Sequence, residues 1–155
     1  DGRDVKMEKK LTIMIDPRPK ERPQGRVAYT REKKPYVQMY TPPETKKYEQ
    51  AIRDAWVREH GDKPMEGPLI VRVYFHFRIP KSDTKARKAA KLNGGMREEI
   101  REDVDNCVKS VLDALNKTAY ADDRQVIKLL SGKRYAEVPQ VKIIISQAEE
   151  KEGEQ

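Results

Sequence analysis

Apolar and polar positions change period several times along the chain, and each change predicts an element. Within "PLIVRVYFHFRIP", Leu69, Val71, Val73, Phe75, Phe77 and Ile79 alternate with Arg72, His76 and Arg78, the signature of a half-buried strand. His76 falls on its polar face, where no second histidine is spaced to join it. An exposed or substrate-facing imidazole is expected there rather than a metal ligand. Leu11 to Ile15 reads as a short first strand and "VIKLLSGKRYA" as a late one. "RVAYT" and "PYVQMYT", either side of the turn-like "REKKP", predict a hairpin on the sheet edge.

Two segments follow the helical period instead. Tyr48, Ile52 and Trp56 recur every fourth residue with Ala51 and Ala55 beside them, a stripe ending before Gly61 that places Trp56 in the core rather than against a base. Ahead of it, Thr41-Pro42-Pro43-Glu44 reads as a capping box with Thr41 as N-cap. Val104, Val108, Val111, Leu112 and Leu115 give a second amphipathic helix. "DPRPKERPQGR" carries too many prolines for helix or central strand and predicts a basic loop. "KSDTKARKAAKLNGG" has almost no apolar face, so it is either a flexible loop or a short helix lying along phosphates.

Composition narrows the class. A chain of 155 residues suits one domain, expected over 7–147, with "DGRDVK" before Met7 read as an expression remnant and 148–155 as an acidic tail. Mean hydropathy is −0.95 and no apolar run approaches the roughly 18–20 residues of a membrane span, so a cytoplasmic protein is expected. One cysteine, Cys107, forbids an internal disulfide, and His60 and His76 beside it are too few for structural zinc. The net charge of +7 is uneven: residues 1–96 hold 23 Lys+Arg against 13 Asp+Glu, a balance of +10, and residues 97–155 hold 10 against 13, a balance of −3. Segregated cations on a basic chain fit a nucleic-acid partner, although charge alone equally fits a solvated surface.

The acids gather in "EDVDNCVKSVLDALNKTAYADDRQV", residues 102–126. Asp103 and Asp105 lie on one side only if the chain is extended there, which puts Asp103 just before the helix and Asp105 near its N-cap. Taken alone, this is consistent with a capped helix whose Lys109 pairs with an acid four residues away. The adjacent Asp122-Asp123 pair changes the balance, because converging carboxylates repel one another unless a cation neutralises them. Oxygen-only ligation specifies a hard cation, Mg²⁺ or Mn²⁺, which can polarise a phosphodiester and lower the pKa of a bound water, with Lys109 offsetting charge.

The run "DVDNCVKSVLDALNKTAYADDRQV" resembles the D-x-D-N-x-x-K-x-x-x-D-x-L … Y-x-D-D-x-Q-V pattern of the RusA family of Holliday junction resolvases, small phage- and prophage-associated endodeoxyribonucleases. "PRPKERP" at 17–23 and "YTPPETKKYEQ" at 40–50 are similar to that family's P-x-P-K-x-R-P and Y-T-P-x-x-T-x-x-Y-E segments. The likeness covers about residues 11–146. It departs at Glu102, where the family often has proline, and at Lys117-Thr118, where it has a glycine in the turn.

The resemblance implies an α+β fold, a mixed β-sheet with helices packed against it, in a homodimer that nicks four-way DNA symmetrically during recombination and repair. It implies metal ligation by Asp103, Asp105 and Asp123, with Lys109 as the essential cation and Asp122 and Asn106 in support. Asp113 is left as a ligand-supporting or surface residue. Phosphate contacts are expected from Lys20, Arg22 and Arg26 in the proline-rich loop and from Lys81, Lys85, Arg87, Lys88 and Lys91. With no base-reading module, selection of DNA structure over sequence is expected. A non-catalytic branched-DNA binder and a less selective Mg²⁺-dependent nuclease are the alternatives.

Overall fold

A computed structural model of the chain describes residues 6–149. Six strands and three helices follow in the order β1 (Glu8–Ile13), β2 (Gln24–Tyr29), β3 (Pro35–Tyr40), α1 (Pro43–His60), β4 (Leu69–Arg78), α2 (Lys85–Leu92), α3 (Val104–Leu115), β5 (Val126–Ala136) and β6 (Gln140–Gln147). The fold is α+β. Its main sheet is mixed, in the order β1-β6-β4-β5, with β4 and β5 parallel and the other pairs antiparallel. Parallel neighbours cannot be joined by a tight turn. The β4–β5 connection, residues 79–125, therefore carries α2, α3 and every acid singled out above.

Strand alternation places one apolar layer on the inward face. Leu69, Val71, Val73, Phe75 and Phe77 of β4 are buried there with Val141, Ile143 and Ile145 of β6. Tyr48, Ile52 and Trp56 of α1 and Val108, Val111 and Leu115 of α3 complete the core. The Tyr48 stripe is thus a packing stripe, although Ala51 is exposed. On β5 the same inward register holds Leu129, Ser131, Lys133 and Tyr135, opposite Val71, Val73, Phe75 and Phe77. β5 is an edge strand, and the helical layer closes over it incompletely.

Two local expectations are corrected, and a third, left open, is decided. The β2–β3 hairpin forms, but as a separate two-stranded sheet rather than on the edge of the main one. Its register puts Val27 beside Val37, Gly25 beside Met39 and Tyr29 beside Pro35, so one face of the ribbon is wholly apolar. Thr41 does not cap α1: Pro42 holds the N-cap position without a side-chain bond, and the proline-fixed backbone starts the helix unaided. Of the two readings left open for 81–95, the structure has the short helix: Lys85–Leu92 forms α2 although its apolar face is thin. Thr84 caps it by accepting from the Arg87 N–H, and Lys91 anchors it inward.

Lys91 is 2% exposed, hydrogen-bonds Asp83 and lies 4.4 Å from the centre of the Tyr135 ring. The Asp83 hydrogen bond raises the lysine pKa and lowers that of Asp83. Lys91 is therefore a structural cation and not a phosphate contact.

Candidate functional site

The incomplete closure between α3 and β5 leaves an open cavity of about 770 Å³. Asp103, Asp105, Lys109 and Asp113 line it from the α3 side, Leu129, Ser131 and Lys133 from β5, and Asp123 from the turn between them. Asp103 sits at the N-cap of α3, but its carboxylate makes no capping bond and stays available to the cavity. Asp105 follows in the first turn, where the helix dipole favours negative charge. One turn on, Lys109 is exposed and forms no ion pair among the described residues, which removes the structural pairing that the sequence left open.

A network of uncharged contacts brings Asp123 to the same cavity. Tyr120, fully buried, donates from its hydroxyl to the Leu112 carbonyl at 2.7 Å and ties the connection to α3. Gln125 then fixes the turn. Its Oε1 accepts from the Ala121 and Asp122 N–H groups at 2.8 and 3.1 Å, and its Nε2 donates to the Met65 and Gly67 carbonyls, both at 2.9 Å. Asp122 caps the short turn 123–125 by accepting from the Arg124 N–H at 2.8 Å, a bond that holds its carboxyl below the usual carboxylate range. Asp122 is thus spent on the turn, and Asp123 faces the cavity.

Across the cavity, Lys133 Nζ donates to the Ile100 and Glu102 carbonyls at 2.8 and 2.9 Å. These carbonyls belong to the segment leading into Asp103, so β5 is clamped to the start of α3 by an ammonium group. On the other flank the proline-rich loop closes down on the helix. The Lys20 N–H donates to the Asn106 carbonyl at 2.9 Å, and its Nζ reaches Glu49 at 2.7 Å and Asp113 at 3.1 Å. Burial alone would lower the Lys20 pKa, but the two carboxylates outweigh it and the net shift is upward. Cys107, buried on the inner side of α3, has its thiol pushed up to about 12 by burial and is no nucleophile at neutral pH.

Among the described residues no three Asp, Glu, His or Cys side chains come close enough to form a ready-made metal cluster. Asp103, Asp105 and Asp123 share a cavity without converging on one point. The donor set still suits a hard divalent cation, which retains waters and needs only one or two protein carboxylates beside substrate phosphate.

A family model described as Endodeoxyribonuclease RusA matches residues 15–146. The chain belongs to the RusA family. It is also similar to "Uncharacterized protein YqaN" of Bacillus subtilis (strain 168), at 32% identity over 138 residues that cover 88% of this chain and 94% of that protein. RusA membership assigns the chain to an endodeoxyribonuclease class acting on Holliday junctions, a class that generally uses divalent metal ions. It also gives the Tyr and Gln of the Y-x-D-D-x-Q-V pattern a physical role: here Tyr120 and Gln125 hold the turn that presents Asp123. The RusA glycine absent from this turn is replaced without loss of the turn. Lys117 stands there at φ +66°, in the left-handed region, at a cost of roughly 1–2 kcal/mol.

The expected phosphate contacts separate into two groups. Lys20, Arg87 and Lys91 are engaged within the protein, Arg87 by Glu99 and Asp83. Arg22, Lys81, Lys85 and Lys88 are exposed and have no ion pair among the described residues, and exposed Arg26 donates to Gln38 while stacking 5.1 Å from the centre of the Tyr40 ring. Lys133 escaped the sequence reading, and Tyr120 and Gln125 entered it only as letters of the motif, without a role. A lysine on the inward register of β5 was the available signal for the first, and it needed the β4 pairing to be seen.

Proposed function

We propose that the protein is a Mg²⁺-dependent endodeoxyribonuclease that resolves Holliday junctions by paired symmetrical nicks, acting as a homodimer in recombination and repair. The observation that carries this reading is the shared cavity of Asp103, Asp105, Lys109 and Asp123 between α3 and β5. Asp103, Asp105 and Asp123 would hold Mg²⁺, or Mn²⁺ in its place. When bound, such a cation polarises the scissile phosphodiester and makes a bound water acidic enough to act as nucleophile.

The chain's own groups supply the rest. Lys109, without an ion pair among the described residues, is available to bond a nonbridging phosphate oxygen and to stabilise the charge that grows there. Lys133 and Gln125 hold the two acid-bearing segments in place, and Asn106 and Asp122 support them. Arg22, Arg26, Lys81, Lys85 and Lys88 are the exposed cations available to position the backbone of branched DNA. No helix among the described residues is long and apolar enough to cross a membrane. Together with the substrate, this favours the cytoplasm of a bacterial or phage-infected cell.

The homodimer rests on symmetry and on an uncovered surface. A four-way junction presents equivalent strand pairs, which a two-fold assembly meets with two equal sites. Val27, Tyr29, Val37 and Met39 are each 61–67% exposed on one face of the β2–β3 ribbon, an apolar surface that a second copy would cover.

Labelled four-way junction, linear duplex and single strand incubated with Mg²⁺ decide the reading. Paired nicks on the junction are expected, lost in Asp103→Asn while binding survives. Binding without cleavage in Mg²⁺ or Mn²⁺ would leave a branched-DNA binder, and equal cutting of linear duplex a general nuclease. The mass in solution tests the dimer.

A further inference from the structure

The face of the main sheet turned away from α1 and α3 is covered by neither of them, and its charged side chains are nearly all of one sign. Alternation places Arg72, Tyr74, His76 and Arg78 of β4 on it, flanked by Lys142 of β6 and by Lys128 and Arg134 of β5, with Lys10 on β1 beyond. Against these six Lys and Arg residues the strands put one carboxylate on this face, Glu8, which accepts a hydrogen bond from Ser146 and lies 3.6 Å from Lys10. The side chains of Arg72, Lys128 and Lys142 have no hydrogen bond or ion pair among the described residues. Arg134 uses one nitrogen on the Leu92 carbonyl at the end of α2.

Nothing within the fold requires this concentration. Core packing asks only for the opposite register, and the diagonal placing of Arg72 against Lys142 and Lys128 on the adjacent strands keeps like charges within reach of one another. A second copy seated here would bring two faces of like sign together, which is repulsive. A polyanion relieves the repulsion by releasing its counterions. The face also continues into cations already assigned to DNA, since Arg78 shares a surface depression with Lys81 and Lys88.

We infer that the open sheet face is a second DNA-backbone surface, centred on Arg72, Lys142 and Lys128, which holds a junction arm other than the one being cut. The inference rests on the junction-resolving reading. The cavity opens between α3 and β5 on the helical side of the sheet, and the arms of a four-way junction leave the branch in different directions. One copy can thus engage two arms, one on each side of its sheet. No base-reading contact is involved, so binding here is insensitive to sequence.

His76 lies at the centre of this face and reports on it. Its pKa is lowered by burial first, then by Lys142 and Arg134, its charged neighbours on β6 and β5. Phosphates laid over those cations would cancel their effect. The test is a triple variant, Arg72→Gln, Lys128→Gln and Lys142→Gln, read by equilibrium binding to a four-way junction across a salt series and by cleavage at saturating junction.

Affinity is expected to fall roughly tenfold near 0.1 M salt, and the slope of log K against log salt to shrink by about 0.9 for each phosphate contact removed. The cleavage rate at saturation should stay at the wild-type value. Unchanged affinity and slope would overturn the inference. In wild-type protein, which needs no substitution, the His76 imidazole should titrate at higher pH with junction bound than without, by NMR. An identical titration in both states would also overturn it. If the wild type binds but never cuts, the nuclease reading fails, and the salt slope and His76 titration still decide whether DNA covers this face.

Discussion

Lys20 separates two roles that a basic loop residue can play. Its side chain is 18% exposed, and that of its closest partner, Glu49, 13%. Replacing Lys20 with Met keeps the aliphatic stem and removes the ammonium, leaving the Glu49 carboxylate mostly out of water without its cation. Fully buried pairs cost about 3–5 kcal/mol to break in this way and exposed ones at most about 1, so this partly buried pair should cost about 2 kcal/mol. The Asp113 contact adds little, because that side chain is 37% exposed. For a chain of this size the loss corresponds to a fall in Tm of about 4–8 °C. The folded pKa of Lys20 is raised, so its contribution is complete below the ordinary lysine value and is lost only as pH rises through the folded one. Thermal unfolding at neutral pH therefore reads it in full. Glu49→Gln added to Lys20→Met removes the orphaned charge and should recover part of the loss. Junction binding across a salt series completes the assay, and its slope should be unchanged. A Tm shift under about 1 °C, together with a slope reduced by about 0.9, would show that Lys20 is a phosphate contact and refute the structural assignment.

Two further outcomes follow from the same geometry. Lys133→Met releases the Ile100 and Glu102 carbonyls and should slow junction nicking by about 10–100-fold, the range for groups that orient metal ligands, with junction affinity unchanged; wild-type rates in a single-turnover assay would remove Lys133 from the site. The depressed pKa of His76 means that the unfolded chain binds the proton more readily. Its contribution is then complete above the ordinary histidine value and is lost as pH falls from there toward the folded pKa. Melting curves should show stability declining through that window, with a smaller decline in His76→Gln; equal declines in both proteins would be evidence against it.

The residues that the sequence made legible are those whose role depends on local period. Alternation in 69–77 and the four-residue recurrence of Tyr48, Ile52 and Trp56 name both the element and its buried face, because a strand or helix with one apolar side has one way to hide it. The same reasoning placed Asp103 just ahead of α3 and β5 at Val126–Ala136. It could not distinguish Lys20 and Lys91 from Lys85 and Lys88. A lysine's sequence neighbours do not reveal whether a carboxylate awaits it, and Glu49 lies 29 residues from Lys20 while Tyr135 approaches Lys91 only after β5 has paired with β4. The hairpin formed as expected, but its placement on the main sheet failed for a related reason. Its alternation is real, but alternation says that one face is apolar and not which surface covers it.

Why a basic chain concentrates acids in 102–126 then has a topological answer. A parallel β4–β5 pair requires a long crossover, and that crossover must return to the sheet edge beside its own helix. Whatever precedes α3 and whatever precedes β5 are thereby brought to opposite walls of one gap, so Asp103 and Asp123 can meet across a cavity although 20 positions apart in the chain. The inward register of the edge strand would ordinarily be apolar at Lys133, as it is at Phe75 beside it. A lysine there is tolerable only because two backbone carbonyls satisfy it, and those carbonyls belong to the segment that delivers Asp103. The cation that is least favourable for packing is therefore the one that fixes the first acid in place, while Lys109, one helical turn along the same wall, has no ion pair among the described residues.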